Sequence, residues 1–251
     1  MAARTAGGPC VAGGTHHFLM MASSNSTAAD QRAQHRPDMT YLDNAPLAKE
    51  QHREGTSLRN RLRLATHGRH EALDHQFEGL GDDARPSLYE DFIRLNHAGR
   101  DKIEPILAAS PFALHMPDWL SRRATPVLAE DMAAMRLEAV ETPPFAIGQP
   151  DLPQAFGIAY VLEGSRLGAG LIHKQLRRTG FIDNHPALSF SFIQRSGDAD
   201  VFRSYLAALS ALDLSPKQED RLIAAANLTF DFFRSTLSAM RKSEQGKAVA
   251  W

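Results

Sequence analysis

The chain has 251 residues, 43% hydrophobic and 23% charged, with 28 Lys and Arg against 29 Asp and Glu. That describes one ordinary domain plus some extra chain, and the balanced charge excludes the global basic field that nucleic-acid binders carry. The single cysteine, Cys10, excludes a disulfide framework and thiolate-rich metal sites, and no apolar run approaches the roughly 20 residues of a membrane span, so the expectation is a cytoplasmic protein with neither membrane nor nucleic acid as partner.

Residues 1–55 are rich in Ala, Gly, Ser, Thr, Asn and Gln, a composition that does not repay the entropy of ordering, so a disordered tail is expected there. From Ser57 onward the periodicity is helical and almost nothing alternates with period two, which predicts an all-α domain over 56–242 and a flexible tail over 243–251. Ser57 caps a first helix reaching to about Phe77, and Pro86 precedes a second from Ser87 to Ala108. Shorter helices are predicted over Met116 to Arg123 and Pro126 to Leu137, before a loop with Pro143, Pro144 and Pro150. A long helix follows from Pro153 to Arg178, then a Pro- and Gly-containing loop, a helix from Asp198 to Leu212, and a last one from Pro216, capped by Ser215, to about Arg241.

In the first helix Leu62, Thr66, His70, Leu73 and Phe77 follow one apolar stripe, so His70 faces the core while His67, Arg69 and Glu71 point elsewhere. Such a histidine is either a satisfied core residue or a ligand. In the long helix Gly164, Gly168 and Gly170 interrupt a buried pattern, each costing about 1 kcal/mol relative to alanine, which asks for a compensating gain. Gly157, Tyr160, Gly164, Gly168 and Leu171 fall on one stripe, and a flat ligand could lie on that backbone. An imidazole opposite such a helix makes a slot with one axial iron ligand and an open second face. Arg63 could pair with a carboxylate at its edge, and Tyr160 offers a hydroxyl, although solvated surface and core filler are their plain alternatives.

These residues carry a resemblance. Leu62-Arg-Leu-Ala-Thr-His-Gly-Arg-His-Glu-Ala-Leu-Asp74 resembles the first-helix motif of the heme oxygenases, Leu-basic-x-x-Thr-x-x-x-His-x-x-x-Glu/Asp, and Tyr160-Val-Leu-Glu-Gly-Ser-Arg-Leu-Gly168 resembles the distal-helix motif of the bacterial, biliverdin-producing members. The segments Tyr89 to Phe92, Ile103 to Ile106 and Phe202 to Leu209 fit the same spacing, and the similarity spans about Ser57 to Met240.

The resemblance implies a single compact helical domain of the heme oxygenase-like type, with heme between the first helix and a glycine-kinked distal helix. It implies that heme b is both substrate and cofactor, cleaved to biliverdin, ferrous iron and carbon monoxide with dioxygen and electrons from an external donor such as a ferredoxin or a reductase. A biliverdin-using photoreceptor is a further partner it suggests. By position, His70 corresponds to the iron ligand, Arg63, Thr66 and Tyr160 to heme-binding residues at the propionate side, Gly164 and Gly168 to the distal glycines, and Ser165 to the residue beside dioxygen and its water network.

Two departures bear on this. Arg166 stands where many relatives have Asp, Asn or Thr, and a long cation cannot copy an acceptor, so it is expected to reach toward a propionate or solvent. Arg203 is one candidate for a second basic propionate contact, and Asn227 is expected to be a mostly solvated amide. A two-iron helical oxygenase is excluded because no Glu-x-x-His occurs. Relatives of the same fold that act without heme would not require His70 and the glycines together. The remaining alternative is a heme-binding sensor or carrier that has lost turnover, with Arg166 as its sign.

Overall fold

The structure, a computed structural model, describes residues 57–249; Cys10 and the tail expected over 1–55 lie outside the described residues. Nine α-helices are found there: α1 Leu58–Asp74, α2 Pro86–Ala108, α3 Phe112–His115, α4 Thr125–Ala134, α5 Leu152–Thr179, α6 Phe181–Asn184, α7 Ser191–Gln194, α8 Ala199–Ser210 and α9 Pro216–Val249, with 3-10 turns at His75–Phe77 and Pro117–Arg122. No strand occurs among the described residues, so the domain is all-α as the periodicity predicts. Three details differ. The loop after α5 contains the short helices α6 and α7, α3 arises where no helix is predicted, and α9 runs on to Val249 instead of ending near Arg241.

Local chemistry sets the helix ends. Ser57 caps α1 by accepting from Asn60 N at 3.4 Å. At the start of α5 the Asp151 side chain accepts from Gln154 N at 3.0 Å while Gln154 Oε1 accepts from Asp151 N at 3.1 Å, a reciprocal capping box. That helix stops at Gly180, whose φ of 81° is the left-handed conformation a side chain resists.

Helix α9 is the post around which the rest is built. It buries Leu222, Ala225, Ala226, Thr229, Phe230, Phe232, Phe233, Thr236, Leu237 and Met240, which form one broad face spanning nearly half its circumference. It packs chiefly against α5, then α1, then α2, whereas α1 and α5 pack mainly on α9 and little on each other. Polar pairs fix α1 against α9 in register: Arg61 with Glu219 and Asp220, Arg69 Nε with Asp231 Oδ2 at 3.0 Å, and Arg241 Nη2 with the Gln76 carbonyl at 3.1 Å. Numbers rise together along both helices, so α1 and α9 run parallel.

Candidate active site

His70 lies on the inner side of α1, its side chain 20% exposed, with its ring edge-on to Phe230 of α9 at 5.5 Å between centroids. Its Nδ1 is 3.0 Å from Asp74 Oδ2 one turn on, and the carboxylate is the residue that ends the first-helix motif. Nδ1 is buried, with this carboxylate at ion-pair distance rather than in a well-formed hydrogen bond. A carboxylate beside Nδ1 orients the ring and leaves Nε2 as the nitrogen for a metal.

One turn before His70, Thr66 is buried and its hydroxyl donates to the Leu62 carbonyl at 2.8 Å. The Tyr160 phenol of α5 lies close to the same hydroxyl. Burial pushes the Tyr160 phenol up, and the Thr66 contact and the charges of Arg59 and Arg63 partly offset it. Thr66 and Tyr160 thus join α1 to α5, with Arg63 beside them. Four residues further on stand His70 in α1 and Gly164 in α5.

Gly164 has the open space that a floor for a ligand needs. A Cβ at Gly164 would meet nothing nearer than Phe202 Cε2 at 4.0 Å, so this face of α5 is open. At Gly157 a Cβ would lie 2.1 Å from the Leu222 carbonyl oxygen, and at Gly170 it would lie 2.2 Å from Gly197 Cα. Those two are bare so that α5 can touch α9 and the 196–197 loop backbone, which corrects the reading of all the glycines as ligand space. Gly168 is buried within α5.

Arg166 and Arg203 find other partners. Arg166 Nη1 donates to the Arg122 carbonyl, which accounts for the long cation without a propionate. Arg203 is exposed and paired with Asp200 one turn away. Asn227 is not simply solvated, because its Oδ1 is buried with no hydrogen-bond partner. Ser165 Oγ donates to the Leu162 carbonyl at 2.9 Å and accepts from Arg100 Nη2 at 2.8 Å.

The arrangement fits a heme in the terms its chemistry requires: an imidazole with a carboxylate on the rear nitrogen, a helix face open at Gly164, and cations beside the Thr66–Tyr160 contact. The fold agrees with the crystal structure of NO- and CO-bound heme oxygenase from Neisseria meningitidis at a TM-score of 0.57 and 20% identity, covering 73% of this chain and 91% of that one. Heme oxygenase PigA of Pseudomonas aeruginosa is 25% identical over 179 residues, which is 70% of this chain and 89% of the relative. Residues 130–239 match the heme oxygenase family model. Over these residues the chain is similar to the heme oxygenases. The family match covers the distal helix α5 and most of α9, so the reading of α1 and His70 rests on the motif and the geometry.

Set in a heme oxygenase fold, several residues that sequence reasoning missed become visible. Arg100 and Glu104 of α2 are each 1% exposed, Glu163 accepts from Trp119 Nε1 at 2.8 Å, and Asp131 accepts from Ser191 N at 3.0 Å and Phe192 N at 2.8 Å. A signal was present: Ile93, Asn96, Arg100, Ile103, Glu104 and Leu107 share one stripe, so Arg100 and Glu104 stand on an apolar face as His70 does. Among the described residues no helix is long and apolar enough to cross a membrane.

Proposed function

We propose that this protein cleaves heme oxidatively to biliverdin, ferrous iron and carbon monoxide, with heme bound between α1 and α5. The observation that carries the reading is the joining of α1 to α5 by Thr66 and Tyr160, with His70 and the open backbone at Gly164 each one turn beyond. Kinship with the heme oxygenases supports heme degradation in general terms. When bound, heme supplies the dioxygen chemistry as both substrate and cofactor. The protein's part is to hold it: His70 Nε2 on the iron with Asp74 behind Nδ1, Arg63, Thr66 and Tyr160 at the edge, and Gly164, Ser165 and Gly168 lining the opposite face. Without a side chain at Gly164 a small ligand has room over the ring.

The experiment supplies the purified heme complex with a ferredoxin, a reductase and NADPH, with catalase removing free peroxide. Loss of the Soret band with formation of biliverdin, ferrous iron and carbon monoxide is the expected result. A ferrous complex that returns to ferric heme unchanged would make the protein a sensor or carrier.

A further inference from the structure

Behind the 162–166 turn of α5 lies a buried charged cluster that heme contact does not explain. Arg100 Nη2 donates to the Leu162 carbonyl at 2.6 Å and to Ser165 Oγ at 2.8 Å, while Nη1 donates to Glu104 Oε1 at 3.2 Å. Glu104 is held in turn by Ala124 N at 2.9 Å, Thr125 N at 3.1 Å and Thr125 Oγ1 at 2.7 Å. The guanidinium carbon sits 5.6 Å from the centroid of the Phe192 ring. A buried ion pair of this kind is seldom more stabilising than an apolar pair of equal volume, so its worth lies in what it orients.

What it orients is Ser165. A hydroxyl has one proton and two lone pairs. The proton goes to the Leu162 carbonyl at 2.9 Å, and Arg100 occupies one lone pair. One lone pair is left, so toward the open side the hydroxyl can accept a hydrogen bond and cannot donate one. The same cluster holds two buried polar atoms without protein partners, Arg100 Nε and Glu163 Oε2, and such a donor and acceptor are places for ordered water. We propose that Arg100 is a positioning residue for the reaction: it clamps the 162–166 turn and fixes Ser165 as an acceptor, so that water beside the hydroxyl is oriented by donating to Ser165. This rests on the heme-degrading reading.

Three variants test it: Arg100→Lys, Ser165→Ala, and the double variant Arg100→Gln with Glu104→Gln, which removes both charges together and leaves neither buried alone. In the heme-free chain, amide exchange over 162–166 is expected to speed up about tenfold in both Arg100 variants, as loss of a hydrogen bond to a charged group implies. Heme affinity is expected to stay within about twofold, while turnover falls about tenfold and the pH at which the ferric complex changes colour shifts in the same direction in all three. Of the three, Arg100→Lys, which keeps the charge but not the fork, should lose the least turnover. Unchanged exchange over 162–166, or a turnover loss with no shift of the spectral pH, overturns the proposal. A wild-type chain that leaves heme intact overturns the underlying reading instead, and the exchange measurement, made without heme, still decides whether Arg100 holds the turn.

Discussion

Gly157 of α5 and the Leu222 carbonyl of α9 approach so closely that a Cβ on the glycine would lie 2.1 Å from the oxygen. Backbone cannot yield to that as a flexible side chain could. Gly157→Ala is therefore expected to lower stability by about 3 kcal/mol, measured by denaturant unfolding of the heme-free chain. Gly164→Ala, with room for its methyl, should instead gain up to about 1 kcal/mol from helix propensity. If the two substitutions cost the same, the distinction between packing glycine and ligand glycine is wrong.

Enlarging the second site further separates fold from function. Gly164→Leu fills the open face of α5 and should depress heme turnover about a hundredfold while leaving helical circular dichroism nearly unchanged. Heme degradation at the wild-type rate in that variant would make the open face irrelevant.

Removal of the imidazole tests the ligand directly. His70→Ala is expected to shift the Soret band and weaken heme binding, and added imidazole should restore the wild-type spectrum by entering the gap beside Phe230. An unaltered Soret position would assign the iron to another residue.

Asp131 is a structural counterpart without any contact to that region. It is fully buried in α4 and accepts from Ser189 Oγ, Ser191 N and Phe192 N, tying α4 to the start of α7. Asp131→Ala strands a buried and a half-buried amide and should cost about 3 kcal/mol, with Asp131→Asn costing less because one acceptor survives. Equal unfolding midpoints for wild type and the alanine variant would contradict this.

Asp91 gives a pH dependence. Burial first, and then Glu244 and Glu90, push its carboxyl above the usual carboxylate range, against the pull of Arg94 and Arg241. With the folded value raised, the folded chain holds the proton more tightly. The stability tied to Asp91 is full below the ordinary carboxylate range and fades as pH rises through the raised value. Asp91→Asn should therefore raise the melting temperature at pH 7 relative to wild type, and the gain should disappear below about pH 3. A gain of the same size at both pH values would remove Asp91 as its source.

The helices were legible because their signals are local. Ser57 and Pro216 mark ends that capping physics predicts within a few residues. His70 and Thr66 were legible for a related reason, since one apolar stripe points both inward. The glycines misled because a bare Cα reads the same in sequence whether it faces a ligand or another backbone; only the position of Leu222 and Gly197 separates the cases. Arg100 and Glu104 share an apolar stripe, but their partners at Ser165 and Thr125 are far along the chain, and no periodicity encodes such distant pairing.

The parallel pairing of α1 with α9 has a consequence for how the protein comes to life on the ribosome. Helix α1 is among the first parts of the domain to emerge, yet Phe230, Asp231 and Arg241, against which it settles, are synthesised some 160 residues later, as the Arg69–Asp231 and Gln76–Arg241 pairs record. Two parallel helices cannot be joined by a short turn, so the intervening chain must return the whole length of the bundle before they meet. Until then the first helix has no apolar partner of its own and is marginal as an isolated element. Assembly of the histidine's surroundings is thus a late event of synthesis, and a nascent chain that has not yet released α9 should be unable to capture heme, however complete its α1 and α5 already are.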